Sequence, residues 1–183
     1  MPENNFGKIQ VYTGYGKGKT TAALGLAVRA LGRGSKVVIV YFDKGGDHYG
    51  ERKILEKLKG ENLEYRVTGR ERFDAKSRTF RFGVTEGDKQ EALRGLAMVE
   101  EYFNQAVVDL LILDEINSTI ALGMLDLEKF LAVLAKKPES LEVVLTGRDA
   151  HPSILAKADL VTEMKMVKHY FYQGLGAREG IEY

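Results

Sequence analysis

A doubly wound α/β domain, with a mostly parallel sheet and helices on both faces, is what this sequence predicts, and three observations carry that expectation. The runs Val37-Val38-Ile39-Val40 and Leu110-Leu111-Ile112-Leu113 are apolar on successive residues instead of alternate ones. Strands of that kind are buried on both faces, as in a parallel sheet sandwiched between helices. Such runs alternate along the chain with stretches of helical period, which is the βαβ pattern. Finally, 183 residues with 44 % hydrophobic and 29 % charged side chains suit one globular domain spanning 1–183. A chain of that size buries about 70 % of its unfolded surface and needs no staples.

The first strand is read at Lys8 to Thr13, followed by a glycine-rich turn and a helix over Thr20 to Gly32. The second and third strands are Lys36 to Phe42 and Leu63 to Thr68, and the stretch from Arg66 to Gly87 is the least regular. Beyond it Ala92, Leu96, Val99, Phe103 and Ala106 recur at steps of three and four, the apolar stripe of a helix. Val107 to Asp114 is the fourth strand. A helix over Leu127 to Ala135 ends at Lys136-Lys137-Pro138, with cations near its C-terminus and a proline just past it. Leu141 to Thr146 and, more weakly, Asp159 to Glu163 complete the sheet.

Composition excludes several classes of function. Cysteine is absent, which removes disulfides, thiolate metal sites and a cysteine nucleophile together. The three histidines, His48, His151 and His169, are too scattered to suggest a histidine-built metal site. Lys plus Arg number 27 against 26 Asp plus Glu, which argues against coating nucleic acid by bulk charge. The N-terminus has no apolar signal region, and no apolar run nears the ~18 residues that span a bilayer. A cytoplasmic protein with no membrane association is expected.

The strongest signal lies between the first strand and the first helix: Thr13-Gly14-Tyr15-Gly16-Lys17-Gly18-Lys19-Thr20-Thr21. Glycines let backbone N–H groups converge on an anion, and the helix N-terminus adds positive potential. Lys19 is placed to neutralise phosphate oxygens, facing solvent in the empty loop, and the Thr20 hydroxyl to ligate Mg²⁺. The usual phosphate loop has glycine five positions before Gly18. Thr13 stands there and Gly14 follows, so the loop is effectively one residue short.

Further on, the buried run Leu110 to Leu113 ends in Asp114-Glu115. Carboxylates at the C-terminal end of a parallel strand sit in the crevice where such sheets bind ligands, positioned for Mg²⁺ and water. The strand Leu141 to Thr146 runs into Gly147-Arg148, whose planar guanidinium suits a phosphate, followed by Ala150-His151-Pro152. His151 reads as a turn or capping residue. On spacing alone, Arg29 reads as a solvated helix charge.

Taken together, these residues resemble the P-loop ATP:corrinoid adenosyltransferases (cob(I)alamin adenosyltransferases). The matching segments are Thr13 to Thr21 with Ala22-Ala23, Arg29, Phe42-Asp43-Lys44-Gly45, Leu113 to Asn117, Leu145 to Arg148 with Ala150 to Pro152, and Ala158 to Glu163. Val167 to His169, Gly174, Ala177 and Gly180 to Glu182 extend the likeness to the C-terminus. The resemblance implies a RecA-type P-loop fold. It also implies transfer of the 5′-deoxyadenosyl group of ATP to Co(I) of a reduced corrinoid, releasing tripolyphosphate. ATP contacts follow from it for Gly14, Tyr15, Gly16, Lys17, Gly18, Lys19, Thr20, Thr21, Arg29, Asn117 and Arg148. It gives catalytic roles to Lys19, Thr20 and Glu115, and Mg²⁺ to Thr20, Glu115 and, close behind, Asp114. A homodimer and a flavodoxin-type or other reductant are the partners it suggests.

Two departures from the family stand out. Members use a Phe/Trp-bearing segment after a Thr-Gly pair to push away the lower axial ligand of cobalt, and this chain has no tryptophan. After Thr68-Gly69, Phe73, Phe80 and Phe82 are the candidates for that job. In addition, no counterpart of the N-terminal helix that covers the site in longer members precedes the first strand. The competing readings are a RecA-type ATPase or small-molecule kinase, which explains the loop and Asp114-Glu115 but not the C-terminal match, and a non-catalytic corrinoid carrier. A nucleic-acid module built on the six cations between Arg66 and Arg81 is the remaining one.

Overall fold

The computed structural model describes residues 7–46, 48–71, 83–105 and 107–183, together with the backbone of 73–74 and 79–80. Strand β1 (Ile9–Thr13) runs into a glycine-rich loop and helix α1 (Lys19–Leu31), followed by β2 (Val37–Tyr41), α2 (Gly50–Leu58) and β3 (Leu63–Val67). A two-residue pair, β4 (Phe73–Asp74) and β5 (Thr79–Phe80), precedes α3 (Glu86–Gln105). The remaining elements are β6 (Leu110–Asp114), α4 (Ile116–Ala121), α5 (Leu127–Leu134), β7 (Glu142–Thr146), α6 (Pro152–Leu155) and β8 (Leu160–Glu163), with a 3₁₀ turn at Tyr170–Gln173.

Six strands form one sheet in the order β3-β2-β6-β7-β1-β8, and every neighbouring pair is parallel. The strand that feeds the glycine loop and the strand that ends in carboxylates thus flank β7, the arrangement of a RecA-type P-loop fold. Every residue of β2, β6 and β7 is buried, as the unbroken apolar runs predict. Alternate residues feed opposite cores. Val38, Val40, Leu111 and Leu113 pack with α3 and α5, whereas Val37, Ile39, Leu110 and Ile112 pack with α1 and α2. Helix α1 lays Ala23, Ala27 and Ala30 on the sheet, small side chains that let it lie close. Edge strand β8 is exposed throughout, which accounts for its weak sequence signal.

The expected elements are present, with shifts at their ends that have local causes. Strand β6 begins at Leu110 and not at Val107, because Val107 is exposed and the Asp109 carboxylate accepts the Lys36 N–H at 2.7 Å. Helix α3 starts at Glu86. Its first turn is fixed by Thr85 and Asp88, the Asp88 carboxylate accepting both the N–H and the hydroxyl of Thr85 at 2.8 and 2.7 Å. Helices α2, α4 and α6 have no counterpart among the expected elements. In α2 only Arg52 and Leu55 are buried, too few apolar positions to register a stripe.

Candidate active site

Thr13 ends β1, and the chain reverses through Gly14 (φ 95°) and Gly18 (φ 115°), conformations that any side chain would strain. The loop lies on the chain leaving β8: the Gly16 N–H donates to the Met164 carbonyl at 2.6 Å. A Cβ on Gly16 would come within 2.7 Å of that oxygen, so the position demands glycine on packing grounds. The first hydrogen bond of α1 runs from the Ala22 N–H to the Gly18 carbonyl at 2.7 Å. The amides of Lys19, Thr20 and Thr21 precede it and face the helix N-terminus, where an anion is favoured. Gly16→Ala is expected to lower the melting temperature and remove detectable ATP binding by calorimetry. Unchanged affinity would show that the loop's seat on Met164 is dispensable.

Contrary to the sequence expectation, Lys19 does not face solvent. It is 7 % exposed, and its Nζ donates to the Gly14 and Gly16 carbonyls at 2.6 and 2.9 Å. Burial pulls its pKa below the ordinary lysine range, with Arg148 and Lys44 adding to the effect and Glu115 and Asp114 opposing it. The loop is therefore strapped around its own cation, through carbonyls that an incoming phosphate can replace.

Across the cleft, Asp114 ends β6 and Glu115 takes a left-handed conformation (φ 62°) that turns the chain into α4. Hydrogen bonds fix both carboxylates. The Thr146 hydroxyl donates to Asp114 Oδ1 at 2.7 Å and accepts the Glu115 N–H at 3.0 Å. The Ser118 hydroxyl donates to Glu115 Oε2 at 2.6 Å and accepts the Arg148 N–H at 2.9 Å. Between them lies Lys44, from the loop after β2. Its Nζ donates to Thr20 Oγ1 at 2.7 Å and to Asp114 Oδ2 at 2.6 Å, and lies 3.5 Å from Glu115 Oε1. Burial alone would depress the Lys44 pKa, but the charges of Asp114 and Glu115 outweigh it and hold the ammonium form. The three oxygens assigned to a metal thus already converge on one cation, and a hydroxyl with two carboxylates is a hard-cation donor set.

Lys44 is not among the expected site residues. The signal that could have found it is its position: Tyr41 pairs with Asp114 in register, so a lysine leaving β2 emerges beside the acidic strand end. Arg52 of α2 fixes that loop by donating to the carbonyls of Lys44 and Gly46, with its guanidinium 4.8 Å from the Tyr49 ring.

The cleft has a volume of 730 Å³, and its walls include Tyr15, Lys17, Thr21, Arg148 and, from the C-terminal segment, His169 and Gly180 to Tyr183. Lys17 Nζ donates to the Ile181 carbonyl at 2.7 Å and to Glu182 Oε1 at 2.8 Å. Hydrogen bonds from Arg178, Lys17 and Tyr170, in that order, hold the Glu182 carboxyl far below the usual carboxylate range. Tyr15 donates its hydroxyl to Asp149 at 2.7 Å while Arg148 lies 5.7 Å from its ring.

Two expected nucleotide contacts are not brought to the cleft. Arg29 is exposed near the far end of α1, ten residues and about 15 Å of helix from Lys19. Asn117 is 1 % exposed beneath the site, its amide donating to the Leu145 carbonyl at 3.4 Å, because α4 turns it inward against Gly147. Gly16 lines the cleft, but its N–H is already committed to Met164. His151 caps α6 as expected, with Nδ1 accepting the Ser153 N–H at 3.2 Å. Phe73 and Phe80 are cross-strand partners in the β4–β5 pair, and Phe82 lies outside the described residues.

Comparison with known proteins accords with this geometry. The family described as ATP:corrinoid adenosyltransferase BtuR/CobO/CobP matches residues 5–183. The chain belongs to that family. Among its relatives, the corrinoid adenosyltransferase of Escherichia coli K12 is 40 % identical over 177 residues, covering 97 % of this chain and 86 % of that one. The corrinoid adenosyltransferase of Pseudomonas aeruginosa is 36 % identical over 184 residues, covering 97 % and 84 %. Corrinoid adenosyltransferase CobA of Salmonella typhimurium is 37 % identical over 177 residues, with 97 % and 86 % covered. The matched span, residues 5–183, takes in the phosphate loop, the acidic strand end and the C-terminal wall of the cleft.

Proposed function

We propose that the chain transfers the 5′-deoxyadenosyl group of ATP to Co(I) of a reduced corrinoid and releases tripolyphosphate. The observation that carries this reading is the cleft itself. A shortened phosphate loop faces a hydroxyl and two carboxylates grouped around one cation position, in a chain of the adenosyltransferase family. Co(I) of the substrate supplies the electron pair for the new cobalt–carbon bond, the C5′–O bond breaks, and the triphosphate leaves with the electron pair of the C5′–O bond. No side chain has to remove a proton. What the protein must supply is stabilisation of a highly charged leaving group.

The loop amides and Lys19 take the phosphates, with Arg148 at the cleft wall and Tyr15 and Lys17 beside it. Thr20, Glu115 and Asp114 are the residues that would hold Mg²⁺, and the Lys44 ammonium already among their oxygens supports the fit of this donor set to a cation. Bound Mg²⁺ would neutralise charge developing on the tripolyphosphate. Thr146 and Ser118 hold the carboxylates in place. In this reading the chain acts as a single domain and functions as a cytoplasmic homodimer, and a flavodoxin-type or other reductant delivers the electrons that bring the corrinoid cobalt to Co(I).

Anaerobic incubation with cob(I)alamin and MgATP tests the proposal. A cobalt–carbon product in the visible spectrum with one tripolyphosphate released per turnover is expected. ADP and phosphate instead would assign the cleft to an ATPase or kinase.

The Phe-bearing segment has its own test. Expelling the axial base requires something apolar that fills its place without ligating cobalt, which phenylalanine provides. Changing Phe73, Phe80 or Phe82 to Ala is expected to slow reduction of bound Co(II) far more than reaction of corrinoid supplied as Co(I), with ATP affinity unchanged. A joint loss of ATP affinity and melting temperature in all three variants would make the segment packing.

A further inference from the structure

Asp114 and Glu115 are adjacent carboxylates, the first 1 % exposed, and two such charges in a sheltered crevice repel each other unless a cation sits between them. Here that cation belongs to the chain. Lys44 Nζ has three donors, and three oxygens surround it: Thr20 Oγ1 of α1 at 2.7 Å, Asp114 Oδ2 of β6 at 2.6 Å and Glu115 Oε1 at 3.5 Å. We propose that Lys44 is a tethered cation that holds these oxygens together in the nucleotide-free protein and competes with the divalent cation for them. The inference rests on the proposed function, in that it takes Thr20, Asp114 and Glu115 as the Mg²⁺ donors.

Competition follows from size and charge. Mg²⁺ draws its oxygen ligands to about 2.0–2.1 Å, so a second positive centre cannot share the same three oxygens. The ammonium must move when the metal enters. The Lys44 backbone is held, because Arg52 donates to the carbonyls of Lys44 and Gly46 and is itself stacked 5.2 Å from the Tyr41 ring and 4.8 Å from the Tyr49 ring. Motion is thereby confined to the flexible four-carbon stem. The displaced ammonium needs another anion. The triphosphate seated on the loop beside Thr20 supplies one, whereas free Mg²⁺ supplies none. Lys44 therefore makes the empty cleft a poor site for the free metal and a good one for the metal–nucleotide complex.

The test uses Mn²⁺ as the probe, its free concentration read by electron paramagnetic resonance on the nucleotide-free protein. Lys44→Met is expected to bind Mn²⁺ at least tenfold more tightly than the wild type, and Glu115→Gln added to it should abolish the gain. Equal or weaker binding by Lys44→Met, or a gain that survives Glu115→Gln, overturns the proposal. Because Lys44→Met leaves two carboxylates without their cation and can fold poorly, Lys44→Gln is measured beside it by thermal melting. Mn²⁺ should raise the melting temperature of Lys44→Gln more than that of the wild type, and an equal rise counts against the role. A control separates the two readings: with ATP present, Glu115→Gln alone should lose Mn²⁺ uptake. Retained uptake there takes Glu115 out of the metal donors and overturns the three-oxygen premise of the proposal, whereas its loss with no gain in Lys44→Met overturns only the part given to Lys44.

Discussion

Lys19→Ala is expected to lower turnover at saturating MgATP by a factor of several hundred. The tripolyphosphate leaves in one piece, so charge grows on the loop as the C5′–O bond breaks. Removing one preorganised partner of that kind costs roughly 3–4 kcal/mol in the transition state. The structure adds a second consequence. The Lys19 ammonium donates to the Gly14 and Gly16 carbonyls at 2.6 and 2.9 Å, so its loss also frees the loop it organises. Affinity for MgATP should therefore fall along with kcat. The core should survive, because the Lys19 ammonium bonds to the loop's own carbonyls and alanine suits the start of a helix. A modest drop in melting temperature with a large drop in kcat is the expected combination. Near-wild-type turnover would end the assignment of Gly14 to Thr21 as a phosphate site.

How far the sequence reveals this protein depends on whether the relevant physics is local. The runs at Val37 and Leu110 declare double-sided burial by themselves, and β2 and β6 lie side by side at the centre of the sheet. Gly-Lys-Thr-Thr after a strand and Asp-Glu at the end of another are legible because each is a short motif at an element boundary. The family resemblance covers nearly the whole chain and is matched by the family assignment over residues 5–183. Other features depend on bonds between distant segments. Lys19 reads as solvent-facing because nothing in the motif tells that the loop's carbonyls turn inward to it. Asn117 is expected at the nucleotide only through the family resemblance, and the left-handed turn at Glu115 sends α4 down against Gly147 and buries it. Lys44 matches the family without a role of its own, since its partners Thr20 and Asp114 are 24 and 70 residues away. The C-terminal wall is similar: Lys17 meets Glu182 across 165 residues.

Glu115→Gln is the other change with a large expected effect, because it removes charge from the metal-facing oxygens with little change of shape. Glu115 sits in a left-handed turn, receives the Ser118 hydroxyl on Oε2 at 2.6 Å and presents Oε1 to the cation position. Glutamine can keep one of these contacts, but its amide nitrogen then faces either the cation or the Ser118 hydroxyl. Turnover at fixed MgATP should fall by about a hundredfold or more, within the range for loss of a preorganised electrostatic partner. The Mg²⁺ concentration giving half-maximal rate should rise with it. The melting temperature should change little, since the Glu115 side chain is 22 % exposed and leaves no cavity when its charge is lost. Asp114→Asn provides the contrast. Asp114 is 1 % exposed and both its oxygens are engaged, one by Thr146 and one by Lys44, so its neutralisation should lower stability as well as rate. Steady-state rates against Mg²⁺ concentration, with melting curves for both variants, decide the matter. An unchanged Mg²⁺ dependence in Glu115→Gln would take that carboxylate out of the metal site and leave Asp114 and Thr20 as its donors.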